Sequence, residues 1–268
     1  MSEPILIERR GHVALLTLNR PDTRNALSGE AMFAAFEQTF ATLNADLNVR
    51  VAILTGAGTA FCSGGNVAEM RERRGMFAGT PEQIAQAYRD GIQRIPRAFE
   101  ALQVPIIAAV NGPAIGAGND LACMCDLRIA SREARFAESF VKVGIVPGDG
   151  GCWLLPRVVG YARAAEMALT GDAIDAEEAL RIGLVSRVVA PEALLDEALQ
   201  LAARIAANPP QVLRWTRQLL QQARTATLDE ALGSAGRLQG LAHHTADHAE
   251  AVAAFFEKRA PRFQGAAT

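Results

Sequence analysis

Glycine-rich loops follow three apolar segments in turn, and this recurrence limits the folds that the chain can adopt. VAILT (51–55) precedes GAGTAFCSGGN, PIIAAV (105–110) precedes NGPAIGAGN, and GIVPGDGG (144–151) follows a segment that ends near Val143. Glycine allows the backbone to approach another backbone or a ligand closely. One such loop would be an ordinary tight turn, but three of them after successive strands predict that the loops converge on one pocket.

Short apolar runs alternate with helical stretches over the first two thirds of the chain. VAILT, PIIAAV and LRIA (127–130) are continuously apolar, as strands buried on both faces are. ILIER (5–9) and VALLTLN (13–19) predict a hairpin around Gly11. Because strands and helices alternate, the sequence predicts an α/β fold.

Capping signals predict where the helices begin. Ser28 is expected to cap a helix that continues to about Asn44, and Thr80-Pro81-Glu82-Gln83 forms a capping box. Pro96 is expected to break the helix that starts at that box. After about residue 190 only helical patterns remain, including a second capping box at Thr227.

Composition and motif searches exclude several classes of function. The 268 residues carry a net charge of −2, without the basic stripe of a nucleic-acid binder. No apolar run approaches the ~18 residues of a membrane span, and the N-terminus lacks a signal-peptide pattern, so we expect a cytoplasmic protein. His244 and His248 lie four residues apart beside Asp247 and Glu250, but there is no H-E-x-x-H motif and no third ligand cluster, so we predict no metal site. The cysteines have no C-x-x-C spacing, which predicts reduced, buried side chains: Cys62, Cys123, Cys125 and Cys152.

The glycine loops themselves indicate backbone chemistry. No complete G-x-G-x-x-G, P-loop or G-x-S-x-G motif occurs. A glycine-rich turn that opens a helix exposes unpaired N–H groups at the positive end of the helix dipole. AIGAGNDLACMCD predicts such a turn, with its helix beginning near Gly118, and FCSGGN is the predicted partner. Two facing turns can hold an oxyanion between amides, with Asp120 beside it to move a proton.

Five segments together resemble the enoyl-CoA hydratase/isomerase (crotonase) family. The resemblance covers nearly the whole chain, and its motifs keep their order and approximate spacing: RNALS (24–28), AFCSGGNVAEM (60–70), AAVNGPAIGAGNDLACMCD (108–126), GIVPGDGG (144–151) and LTGDAIDAEEALRIGLVSRVV (169–189). It implies a crotonase-like spiral of ββα repeats over residues 1–195 and a C-terminal helical region, residues 196–268, that trimerises. A dimer of such trimers is common in the family. It also implies an acyl-CoA thioester substrate, with coenzyme A entering as part of the substrate rather than as a separate cofactor.

The resemblance also implies roles for particular residues. The thioester oxygen would sit between the backbone amides of Gly65 and Ala117, the latter at a position where the family commonly has glycine. The residues that would line or approach the CoA portion are Arg24, Ala26, Ser63, Gly64, Asn66, Val67 and Lys258. In some members the lysine comes from a neighbouring subunit.

Two carboxylate positions depart from the family pattern. Typical hydratases have glutamate where Asp120 stands and a second glutamate in a segment that resembles F-G-x-P-E. Here that segment is Phe136-Ala137-Glu138-Ser139-Phe140, so Phe140 replaces the second glutamate. Hydration requires that water is held and deprotonated while the α-carbon is protonated, which two flanking carboxylates do well, whereas one well-placed base suffices for double-bond isomerisation. Asp149, which resembles an aspartate of some isomerases, is the candidate base, and isomerisation is favoured over hydration.

Alternatives remain for the function and for each carboxylate. The same oxyanion site would serve an enoyl-CoA hydratase, a CoA-thioester hydrolase or a lyase, and a chain without its acid/base pair could be a non-catalytic acyl-CoA binder. Asp120 could cap a helix that starts after Asn119, and Asp149 could be a turn residue. Glu138 is interpreted as a structural or rim carboxylate. The acyl pocket is expected to contain three apolar side chains: Phe77, Ile84 and Tyr88.

Overall fold

The strands form where apolar, β-branched residues cluster between glycine-rich turns. The computed structural model describes residues 3–264, and nine strands lie within that range: β1 Ile5–Arg10, β2 Val13–Leu18, β3 Val51–Gly56, β4 Ile106–Val110, β5 Ala114–Ile115, β6 Leu127–Ser131, β7 Arg135–Ala137, β8 Ile174–Asp175 and β9 Arg187–Val189. The predicted hairpin is confirmed, with Gly11 in the left-handed region at φ +58°.

Twelve α-helices alternate with the strands and then follow them within the same range. They are α1 Glu30–Ala45, α2 Val67–Glu72, α3 Pro81–Asp90, α4 Arg94–Ala101, α5 Ala117–Met124, α6 Gly151–Val159, α7 Tyr161–Thr170, α8 Ala176–Arg181, α9 Leu194–Ala206, α10 Pro210–Gln222, α11 Leu228–His243 and α12 Ala246–Glu257. No helix in residues 3–264 combines the length and the apolar character needed to cross a membrane.

The main sheet has six strands in the order β1-β2-β3-β4-β6-β9. Its first pair is antiparallel and the remaining pairs are parallel. Successive side chains of β3 face opposite layers, because the side-chain period of a strand is two residues. Ala52 and Leu54 enter the larger core with α1, α4 and α5, whereas Val51 and Ile53 face a smaller core that α9 closes.

A second sheet, in the order β5-β7-β8, brings the glycine-rich loops beside each other. Strand β5 begins only four residues after β4, and it pairs in parallel with β7. An isolated bridge joins Cys62, in the loop after β3, to Ala114 in β5. The carboxyl ends of β3 and β4 therefore open toward one region of the surface.

Helix α10 is anchored to the α/β body by two buried arginines. Arg214 donates to the Leu43 carbonyl (3.1 Å) and the Asn44 carbonyl (2.6 Å), which end α1. Arg217 donates to Asp126 Oδ2 at 2.7 Å. The division of the chain between residues 195 and 196 stays a prediction. Helix α9, which begins at Leu194 and crosses that boundary, packs on the main sheet.

Several local predictions need correction. Ser28 does not cap α1, since Gly29 occupies the N-cap and no side chain bonds there. Pro96 lies in the first turn of α4, where a missing N–H costs little, and the helix break falls earlier, at Gly91. Cys152 is exposed, unlike the other three cysteines. Both predicted capping boxes, at Thr80 and Thr227, are confirmed.

Candidate active site

The loops after β3 and β4 pack directly against each other. The Cys62 amide donates to the Pro113 carbonyl (3.1 Å), and the Ile115 amide donates to the Cys62 carbonyl (3.0 Å). Gly64 has φ +85°, and a Cβ there would lie 2.5 Å from the Ile115 oxygen and 3.2 Å from the Ala117 nitrogen. Any residue other than glycine at this position would force the two loops apart.

Two backbone amides from these loops border one cleft. Ala117 is the first residue of α5 and follows the N-cap Gly116, so its N–H belongs to the unpaired first turn of a helix. Gly65 lies in the facing loop and borders the same cleft. Within residues 3–264 neither amide donates to another backbone group. Both donors are therefore available to a ligand oxygen, and the Ala117 amide also lies at the end of α5 where the helix dipole favours negative charge.

Apolar side chains form most of the wall of this cleft, which encloses about 640 Å³ up to its opening. Phe77 and Tyr88, both expected in the lining, border the cleft, and their rings pack edge to face with centroids 6.4 Å apart. Ile84 does not border the cleft, although the sequence placed it there. Phe140, at the position where the resemblance implies a second glutamate, is part of the wall, and its ring lies 3.6 Å from where a Cβ of Gly116 would be.

Three buried carboxyl groups meet at the inner end of the cleft. Asp120 comes from α5, Glu138 follows β7, and Asp149 precedes α6; their exposed fractions are 0%, 1% and 3%. The Asp120 carboxyl lies beside both of the others, so that it can donate a hydrogen bond to either of them when it is protonated. A Cβ on Gly151 would lie 2.5 Å from Asp120 Oδ1 and closer still to Glu138 Oε1, so glycine is needed there for the three groups to come together.

The environment of this carboxyl cluster favours bound protons. Burial, followed by the charge of Asp149, raises the pKa of Asp120 well above its ordinary value. Burial raises the pKa of Glu138 to about 7 and that of Asp149 to about 6. No cation contributes to any of these shifts within the described chain. Three adjacent carboxylates without a counter-charge cannot all be ionised, so the cluster retains protons near neutral pH.

The three carboxyls differ in their access to the cleft. Asp149 borders it, whereas Asp120 and Glu138 lie behind the wall. Asp120 is the fourth residue of α5 and does not cap that helix, which removes the alternative that it is a cap. The helix begins at Ala117, one residue before the predicted start. Glu138 is not on the rim: Asn119 Nδ2 donates to its Oε2 at 2.9 Å in the interior.

Six residues that the resemblance links to CoA lie in two adjoining segments beside the cleft. The Ser63 amide donates to the Arg24 carbonyl (2.9 Å), and the Leu27 amide donates to the Gly64 carbonyl (2.8 Å). Arg24 and Val67 are exposed, Ala26 is buried, and the Asn66 side chain caps α2. Lys258 lies apart from them, exposed at the end of α12. Its contact with CoA stays a prediction.

Asn25 fixes the geometry of these segments and was not singled out in the sequence. It is fully buried with φ +59°. Its Oδ1 accepts from the Arg20 amide (3.0 Å), and its Nδ2 donates to the carbonyls of Ala57 and Ala60 (2.9 Å each). Asparagine tolerates the left-handed region and forms hydrogen bonds to nearby backbone groups. The asparagine in RNALS is therefore the feature of the sequence from which this role could have been predicted.

Thiol and metal chemistry have little support in this region. Burial raises the pKa of both the Cys62 and the Cys123 thiol to about 12, so neither is a thiolate near neutral pH. Residues 3–264 contain no group of three or more side chains arranged to hold a metal ion. His244 lacks the pairing considered from the sequence, since His248 is bonded instead to His243 at 3.1 Å.

Comparison with known proteins identifies the family. A sequence model described as enoyl-CoA hydratase/isomerase matches residues 8–266. The chain belongs to the enoyl-CoA hydratase/isomerase family. It is 39% identical to the 1,2-epoxyphenylacetyl-CoA isomerase of Escherichia coli K12 over 99% of this chain and 100% of that protein. It is 40% identical to the (E)-benzylidenesuccinyl-CoA hydratase of Thauera aromatica over 98% of this chain and 100% of that protein.

Solved structures of the family support the same fold. An enoyl-CoA hydratase from Bacillus anthracis superposes with a TM-score of 0.90 at 34% identity, over 98% of this chain and 100% of the other. The enoyl-CoA hydratase/isomerase fold predicted from the sequence is thereby confirmed. The chain is an acyl-CoA-processing enzyme of the hydratase or isomerase type.

Proposed function

We propose that this enzyme moves the double bond of an enoyl-CoA thioester, with Asp149 as its base. The observation that carries the proposal is the unequal access of the carboxyls: Asp149 alone of the cluster borders the cleft. Phe140 lines the same cleft where a hydratase of the family would have its second glutamate. An apolar side chain there disfavours a held water molecule and leaves proton transfer to a single base.

The proposed reaction begins with the thioester in the oxyanion site. The carbonyl oxygen accepts hydrogen bonds from the amides of Gly65 and Ala117, which stabilise the negative charge that develops on it. Asp149 removes a proton from the γ-carbon, and the C–H electron pair moves into the conjugated system to form a dienolate. Asp149 then returns a proton to the α-carbon, and the thioester carbonyl is restored with the double bond in its new position.

The pKa of Asp149 suits this role. A value of about 6 leaves the group mostly ionised at neutral pH, yet basic enough to accept a carbon-bound proton. Asp120, which keeps its proton, donates a hydrogen bond to Asp149 and holds the carboxylate in position. In this proposal Asp120 supports the base and does not touch the substrate.

The CoA portion is proposed to lie along the two segments beside the cleft entrance, with the acyl group inside. Its contacts there would come from Arg24, Ala26, Ser63, Gly64, Asn66 and Val67, and Lys258 would reach it from a neighbouring subunit. The acyl group enters a cleft that carries the rings of Phe77, Tyr88 and Phe140. Two curated relatives are named for acyl groups that bear an aromatic ring. We therefore propose that a ring-bearing enoyl-CoA is accepted.

Incubation in D₂O followed by NMR tests the proposal. Matched 2- and 3-enoyl-CoA thioesters, with straight chains and with terminal phenyl groups, are supplied to the enzyme. Migration of the double bond, with deuterium entering at the α- or γ-carbon, is the expected result. Addition of a hydroxyl group would show a hydratase instead, free CoA a hydrolase, and binding without exchange a non-catalytic acyl-CoA binder.

We further propose that the helical region 196–268 joins three chains into a trimer or a dimer of trimers. Helices α11 and α12 expose large apolar side chains, among them Leu228, Leu232, Phe255 and Phe256. Exposed apolar surface of this kind is typical of a protein interface. Sedimentation equilibrium should give a mass of three or six chains, and a monomer would contradict the proposal.

A further inference from the structure

A second cavity lies on the other side of the carboxyl cluster. It is open to solvent, with a volume of about 530 Å³ between α6 and α7, and its wall contains Glu138, Gly151 and Cys152 together with apolar side chains. Glu138 borders this cavity and not the acyl cleft, whereas Asp149 borders the acyl cleft and not this cavity. The Asp120 carboxyl lies between them and next to both. The three carboxyls thus form a continuous chain between two cavities.

Several oxygens of this chain have no partner other than a neighbouring carboxyl. Both oxygens of Asp120 and of Asp149, and Oε1 of Glu138, are fully buried and accept no hydrogen bond from an N–H or hydroxyl donor in residues 3–264. Only Glu138 Oε2 has such a donor, in Asn119. A buried acceptor that is left unpaired is costly, and a proton shared between adjacent carboxyls removes that cost.

We propose that Glu138 is a positioning residue that acts through Asp120 on Asp149, and that the three carboxyls pass a proton between the acyl cleft and the second cavity. In one concerted step, Asp149 gives its proton to Asp120 while Asp120 gives its own proton to the Glu138 carboxylate. Glu138 then releases a proton on the side of the second cavity. The step is balanced, because one O–H bond forms for each that breaks and Asp149 returns to its basic form.

The role of the relay in catalysis rests on the isomerisation proposed above. A base that exchanges its proton slowly returns the same proton to the substrate. A relay to a second cavity provides a route by which that proton is exchanged with solvent. The titratable groups that face the three carboxyls from neighbouring elements are Cys62, Tyr88 and Cys123. All three are uncharged near neutral pH, so none of them replaces Glu138 as a proton acceptor.

Infrared titration tests the relay without any turnover. In the wild-type chain the carbonyl band of protonated carboxyls should change in steps near pH 6 and near pH 7. Glu138→Gln should remove the upper step, near pH 7, which we assign to Glu138. It should also displace the lower step, near pH 6 and assigned to Asp149, by about one pH unit, because coupled groups titrate together. Glu133→Gln, which changes an exposed carboxylate five residues earlier, should leave both steps in place. A lower step unmoved by Glu138→Gln would overturn the coupling.

Asn119→Ser provides a second variant, useful if Glu138→Gln fails to fold. The Asn119 hydrogen bond lowers the pKa of Glu138, so its loss should move the upper step to higher pH. An upper step that stays where it is in the wild type would overturn the assignment of that step to Glu138. Neither infrared result depends on which reaction the enzyme catalyses, so failure of the isomerase proposal remains distinguishable.

Isotope transfer tests the exit route during turnover. With a γ-deuterated 2-enoyl-CoA in H₂O, the wild type should lose part of the label to solvent. Glu138→Gln should retain at least about twofold more deuterium at the α-carbon, since the proton of Asp149 can no longer leave through Asp120. Equal retention in wild type, Glu138→Gln and Glu133→Gln would overturn the exit route.

Discussion

At the scale of single residues, the site depends on which carboxyl faces the cleft. Asp149 was recognised because a carboxylate stands out in the glycine-rich segment GIVPGDGG. Glu138 was assigned to structure or to the rim, because alternation along a strand does not reveal that the chain turns inward after β7. Glu138 is buried because α5, α6 and β7 pack together around it, and the local sequence pattern does not predict this packing.

Asp149→Asn keeps the shape of the side chain and removes the proposed base. We expect kcat for isomerisation to fall by about 10²–10⁴-fold, with KM changed less than about threefold, because substrate binding relies on other groups. Steady-state kinetics with the enoyl-CoA that NMR identifies would measure both parameters. Asp172→Asn, at an exposed carboxylate paired with Lys142, is the matched control. Turnover of Asp149→Asn close to the wild-type rate would exclude Asp149 as the base.

Gly151→Ala introduces one methyl group against the carboxyl cluster. Its Cβ would meet Asp120 Oδ1 at 2.5 Å and Glu138 Oε1 at a shorter distance, so these buried carboxyls would have to shift away from each other. We expect a loss of about 1–3 kcal/mol in the free energy of unfolding, measured by urea denaturation. Gly233→Ala, in α11 with open space around its Cβ, should be neutral or stabilising. Equal stabilities of the two variants would contradict this account.

At the scale of elements, the architecture was largely predictable and the contacts between loops were not. Continuous apolar runs identified β3, β4 and β6, and capping boxes identified the starts of α3 and α11. The pairing of Cys62 with Ala114, and the connection of Asn25 to the loop after β3, join residues far apart in the sequence. Such contacts depend on how the sheets pack, so local propensity carries no signal for them.

Asn25→Ala should loosen the loop pair without damaging the sheet. The variant loses hydrogen bonds to Arg20, Ala57 and Ala60 and leaves buried backbone groups unpaired. We expect a destabilisation of about 2–3 kcal/mol in urea and a KM for acyl-CoA raised by about tenfold, since the segments beside the cleft lose their alignment. Asn19→Ala, which removes one exposed bond to Glu3, is the control. A stable variant with wild-type KM would show that Asn25 does not align the loops.

At the scale of the whole molecule, the buried carboxyls connect the active site to the stability of the fold. Their pKa values of about 6 for Asp149 and about 7 for Glu138 exceed the ordinary values of about 4 that we expect in the unfolded chain. Between those limits the folded chain binds more protons than the unfolded chain. The free energy of unfolding therefore falls as pH rises from about 4 to about 7, by up to about 1.4 kcal/mol per pH unit for each group. The burial that raises the pKa of Asp149 and makes it a base near neutral pH therefore also lowers the free energy of unfolding there.

The double variant Glu138→Gln/Asp149→Asn separates this contribution from all others. Both amides are neutral at every pH, so the part of the slope that Glu138 and Asp149 cause should disappear, and Asp120 should stay protonated without a charged neighbour. Urea denaturation at about pH 5 and about pH 6.5 would measure the slope, and the variant should gain stability relative to the wild type as pH rises. Asp172→Asn should follow the wild type. Parallel curves for the double variant and the wild type would mean that the two carboxyls titrate alike in the folded and unfolded chain, and Asp149 would then lack the raised pKa on which its role as a base depends.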